Sequence, residues 1–186
     1  MSSNTKKKTL NLPTILTILR IVLVIPVVIC IFIDELPAQI ATVICFALAS
    51  ITDFIDGKIA RKNNQVTDLG AFLDPLADKM LVNLTFVALV TLGLVPFWMF
   101  AVILIRDFIV DGLRMMAAKK DVTLAASKFG KLKTLVQMVT VTLILLNVII
   151  NNDILAIINT VLLYIVIVLT VFSGIDYLIK GRKLML

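Results

Sequence analysis

One stretch of the chain holds side chains able to do chemistry on phosphate: Asp53-x2-Asp56-Gly57-x2-Ala60-Arg61-x8-Gly70-x3-Asp74-x3-Asp78. The pattern specifies four carboxylates, two glycines and an arginine within otherwise apolar sequence. A carboxylate at membrane depth costs about 2.5–3.5 kcal/mol, so four together need a counter-charge. Spacings of three and four residues place Asp53 with Asp56, and Asp74 with Asp78, on one face of a helix each. A short polar link joins the two helices, so the pairs can meet across an antiparallel hairpin. Four carboxylates would neutralise two divalent cations, a centre suited to displacement at a phosphate. Two other readings stand beside this one: an ion-conduction path, and a structural ion-pair network with Arg61 and Lys79.

The elements that must position these residues are apolar. The chain has 186 residues, is 60% hydrophobic and has a mean hydropathy of +1.08, too much apolar sequence for a soluble domain. Six stretches reach the roughly 20 residues of a membrane helix: 12–33, 37–60, 69–92, 95–117, 130–150 and 154–178. The expected fold is therefore an all-α integral membrane protein, one six-helix bundle over residues 1–186 with a polar cavity facing the cytoplasm. Residues 1–10 form a basic cytoplasmic segment. The first apolar run is full length and lacks a small-residue cleavage pattern, so it is expected to be retained.

Basic residues gather at 6–8, 58–62, 119–133 and 180–183, while the opposite connectors hold Asp34, Glu35 and Asp153 and no Lys or Arg. The positive-inside rule then puts both termini in the cytoplasm of a multi-pass cell-membrane protein. The net charge of +6 reflects this bias and does not point to nucleic acid. With this topology the aspartates, Arg106, Arg114 and the 127–133 segment all lie towards the cytoplasmic side.

Arg106 and Arg114 suit a phosphate clamp, joined by Lys128 and Lys131; alternatively the arginines pair with Asp107 and Asp111 as structural glue. Lys128, Lys131 and Lys133 also satisfy the positive-inside rule alone. Gly57 is either a packing glycine or a gap for a bulky ligand, and Gly70 fits both readings. Pro26 and Pro75 read as kinks, Trp98 as an interfacial anchor, and Cys30 and Cys45 as packing residues. The absence of histidine excludes a phosphohistidine intermediate and His-ligated zinc.

The eight specified positions from Asp53 to Asp78 resemble in full the signature of the CDP-alcohol phosphotransferase family. Further segments resemble its bacterial branch that uses glycerol 3-phosphate. These are Asn11-Leu12-Pro13-Thr14 with Leu16-Thr17 and Arg20, then Arg106-Asp107 with Gly112-Leu113-Arg114, and Ala126-Ser127-Lys128-x-Gly130-Lys131-x-Lys133-Thr134. The resemblance implies a six-helix homodimer with two Mg²⁺ or Mn²⁺ ions on Asp53, Asp56, Asp74 and Asp78. It implies that Asn11, Thr14, Thr17, Gly57, Arg61 and Gly70 bind CDP-diacylglycerol, and that Asp78 is the general base. The expected acceptor is sn-glycerol 3-phosphate, held by Arg106, Arg114, Lys128 and Lys131, with direct displacement of CMP. Rivals are the same chemistry on inositol phosphate or serine, and a divalent-cation transporter. The transporter would need polar residues on the outer half of the bundle, which is almost wholly apolar.

Overall fold

The computed structural model describes residues 12–62, 68–120, 122 and 127–185; the side chains of 12–14, 16, 17, 53–62, 68–76, 78 and 183–185 are outside that description. Among the described residues six helices follow one another: α1 Leu12–Cys30, α2 Leu36–Lys62, α3 Asp68–Thr91, α4 Phe97–Lys119, α5 Lys128–Ile150 and α6 Asp153–Met185. All six fall where the apolar runs place them. Two compact units divide the chain, residues 1–88 and 89–186.

In the first unit α1 packs on α2. The buried positions recur every three or four residues: Arg20, Val24 and Val27 on α1, and Thr42, Phe46 and Ala49 on α2. That spacing is one face of a helix. α1 stops short of the expected end because Ile33 N–H turns back to the Cys30 carbonyl at 3.1 Å, tightening the last turn. α2 then begins with Pro37 in its first turn, where a missing N–H costs nothing.

In the second unit α6 packs on both α4 and α5. Its buried seam runs Asn159, Leu163, Val166, Thr170, Ser173, Tyr177, Gly181, alternating three- and four-residue steps until the last. After Asn159 the first half is filled by Leu163 and Val166, and the second by small or polar residues apart from Tyr177. α5 answers with Lys133, Gln137, Thr140, Val141, Ile144 and Leu145. Two asparagines make the α5–α6 turn. Asn151 adopts the left-handed conformation (φ 49°) that ends α5. Asn152 Oδ1 accepts the N–H groups of Ile154 and Leu155 at 2.9 and 3.1 Å, capping α6.

The outward face of α6 is apolar too, with Ile154, Ile157, Val161, Val168, Phe172 and Ile179 exposed. A helix apolar all round has lipid, not water, as its solvent. Among the described residues α5 and α6 are long and apolar enough to cross a membrane, and shorter apolar runs occupy Ile18–Cys30, Leu36–Thr52 and Lys79–Thr91. α4 bears Arg106, Asp107, Asp111 and Arg114 in its second half, which breaks its apolar run. α6 outruns the expected end by seven residues, since Lys180 and Arg182 continue the helix and Lys180 Nζ bridges Asp176 at 2.7 Å.

Candidate functional site

Asp53, Asp56, Gly57 and Arg61 lie in the last turns of α2, and Gly70, Asp74 and Asp78 in the first turns of α3. Helical backbone runs through both stretches, so each carboxylate pair shares a helical face by register. The side chains of these seven residues, and of Thr14 and Thr17 on α1, lie outside the described residues, as does Asn11 altogether. The donor set itself fits divalent cations: carboxylate oxygens are hard ligands, and four of them balance two M²⁺ ions. Among the described residues no group of three His, Cys, Asp or Glu forms another candidate metal centre. Arg20, one turn beyond Thr17, is a buried charge on the α1 seam.

The second unit carries a cluster of its own. Arg106 Nη1 bonds Asp107 Oδ1 at 2.8 Å, and Lys133 Nζ reaches both oxygens of the same carboxylate at 2.9 and 3.0 Å. Lys133 is 2% exposed, so Asp107 provides the counter-charge such burial demands. Arg106 Nη2 also bonds Ser173 Oγ on α6. The Arg106–Asp107 pairing expected as structural glue is therefore present. Arg114 Nη2 donates to the Tyr177 hydroxyl at 2.6 Å.

Close approach of three helices makes this cluster possible. A methyl at Gly130 on α5 would stand 3.2 Å from Arg106 Nη2 and 3.3 Å from Ser173 Oγ, and one at Gly174 on α6 3.3 Å from Arg106 Cγ. The two glycines leave the space that the guanidinium occupies. Lys128 and Lys131, expected beside the arginines, are exposed on the first turn of α5, while Lys133 turns inward. Ser127 sits at the N-cap of α5 without its hydroxyl capping the helix. The first-turn N–H groups thus add positive potential there unopposed by that hydroxyl.

Arg106, Arg114 and Lys133 bring three cations to this place, with Asp107 bonded to two of them and Asp111 on the same helix; arginine forks of this kind suit a phosphate group. Tyr177 and Ser173 are the members that sequence reasoning missed. Their only signal is their place on the three- and four-residue seam of α6.

Residues 10–172 match the family model described as CDP-alcohol phosphatidyltransferase. A Bacillus subtilis protein named CDP-diacylglycerol–glycerol-3-phosphate 3-phosphatidyltransferase is 38% identical over 92% of this chain and 95% of its own length. A Rickettsia typhi protein of the same name is 41% identical over 90% and 94%. One from Salmonella choleraesuis is 36% identical over 92% and 95%.

Proposed function

The chain belongs to the CDP-alcohol phosphatidyltransferase family, and on that premise we propose that it transfers the phosphatidyl group of CDP-diacylglycerol to sn-glycerol 3-phosphate. The products are phosphatidylglycerophosphate and CMP. The observation that carries the acceptor is the near full-length likeness to relatives named for that reaction. The arginine donors Arg106 and Arg114, suited to a phosphate, agree with it.

Asp53, Asp56, Asp74 and Asp78 would hold two Mg²⁺ or Mn²⁺ ions, which when bound offset charge on the pyrophosphate oxygens and the leaving group. Gly57 leaves room for the cytidine diphosphate and Arg61 offers it a fork of donors. Asn11, Thr14, Thr17 and Gly70 complete the lipid donor's site. Arg106 and Arg114, with Lys128 and Lys131 beside them, hold the acceptor's phosphate. Asp78 takes the proton of the primary hydroxyl, the oxygen attacks the β-phosphorus, and the bond to CMP breaks. With no histidine in the chain and both cysteines on the apolar parts of α1 and α2, the chain offers no ready carrier for a phosphatidyl group, so we read the transfer as one displacement. All six helices are read as membrane spans with the site on the cytoplasmic side, as the basic connectors require.

The test is an acceptor panel. Purified protein with Mg²⁺ and CDP-diacylglycerol is offered glycerol 3-phosphate, inositol phosphate or serine, and lipid products are identified by mass. Phosphatidylglycerophosphate as the dominant product is expected; preference for either other acceptor would overturn the assignment.

A further inference from the structure

We propose that Tyr177 is a positioning residue for the acceptor phosphate, a single buried phenol that fixes Arg106 and Arg114 relative to each other and to the start of α5. The proposal rests on the reading of that arginine pair given above. Arg106 and Arg114 are eight residues apart on α4, about 12 Å of helical rise. Yet their guanidinium carbons lie 5.5 and 5.3 Å from the centre of one ring, that of Tyr177. Both distances are within cation–π range.

The hydroxyl adds direction to that distance. It accepts from Arg114 Nη2 at 2.6 Å and from the backbone N–H of Ser127 at 3.1 Å. One oxygen thereby joins α6, α4 and the N-cap of α5. Those two donations occupy its acceptor positions. Tyr177 is 1% exposed, whereas Arg114 is exposed. The phenol is thus shielded while the arginine it holds is open, and its effect on a ligand passes through the arginine. Space for the ring is specific as well. Tyr177 is the one bulky residue in the second half of the α6 seam, and a methyl on Gly130 would stand 3.5 Å from its Cε2.

The experiment is a kinetic double-mutant cycle on the detergent-purified full chain, with initial rates measured against each substrate and melting temperature measured alongside. Tyr177→Phe keeps the ring and removes the hydroxyl. It should raise KM for glycerol 3-phosphate about tenfold, in line with loss of a hydrogen bond to a charged group. The KM for CDP-diacylglycerol and kcat should move less than about twofold. In an Arg114→Ala background the same change should add less than about twofold, because the hydroxyl acts through that arginine. Tyr177→Leu, which frees Arg106 too, should exceed the phenylalanine variant.

A full tenfold effect that persists in the Arg114→Ala background would overturn the proposal, since the hydroxyl would then touch substrate itself. So would a lowered melting temperature with both KM values unmoved, or an equal rise in both. If Arg106→Ala and Arg114→Ala leave the KM for glycerol 3-phosphate unchanged, the arginine assignment itself fails and this proposal falls with it. Selective arginine effects with an inert Tyr177→Phe would overturn the positioning role alone.

Discussion

The proposed function gives Asp78 two duties at one carboxylate, holding a cation and accepting a proton, and substitution can separate them. Asp78→Asn keeps the shape and one metal-facing oxygen but cannot take the proton. It should lose kcat by about 10²–10⁴-fold, the usual worth of a general base, and still bind CDP-diacylglycerol. Binding lost together with turnover would assign Asp78 to the metal alone. Stereochemistry checks the same step from the substrate's side: a chiral β-phosphorus should emerge inverted, and retention would mean two displacements. Arg106→Ala and Arg114→Ala should raise KM for glycerol 3-phosphate about 10–100-fold, the range for a lost charged hydrogen bond, with little change for the lipid donor. A weakened donor instead would move these arginines to the other substrate. The aspartates were legible from sequence because charge amid apolar residues is costly and conspicuous. Tyr177 and Ser173 were not, because a tyrosine and a serine in an apolar helix cost little and acquire their role only where three helices meet.

The elements were legible for a related reason. Hydropathy placed all six helices, but it could not find their ends. α6 continues to Met185 on lysine and arginine, residues that favour helix as well as leucine does. Periodicity separates the three lysines of α5 in a way that composition does not. Lys133 falls on the buried face with Gln137, Thr140 and Ile144, in steps of four, three and four, while Lys128 and Lys131 face out. Lys133 therefore depends on Asp107 of α4. Asp107→Ala removes the carboxylate whose two oxygens accept from this buried ammonium, which should cost about 1.5–3 kcal/mol of stability. A thermal or denaturant melt in detergent reads this directly, and an unchanged midpoint would show that the pair holds nothing together. Asp107→Ala should also loosen Arg106, so its KM for glycerol 3-phosphate should rise with the instability.

At the scale of the whole molecule, the proposed function asks a basic apolar chain of 186 residues to bring a charged lipid donor and a charged soluble acceptor to one membrane face. The four signature carboxylates need a counter-charge there. Excess EDTA should abolish activity, and Mg²⁺ or Mn²⁺ should restore it; full activity in the chelator would remove the metals from the mechanism. The account as a whole turns on whether CMP departs only when the acceptor attacks. The most direct measurement is CMP released against phosphatidylglycerophosphate formed, by purified protein with Mg²⁺ and CDP-diacylglycerol, with and without glycerol 3-phosphate. The account predicts no CMP above background without the acceptor, and one lipid product for each CMP with it. CMP released at the same rate in the absence of glycerol 3-phosphate would contradict it.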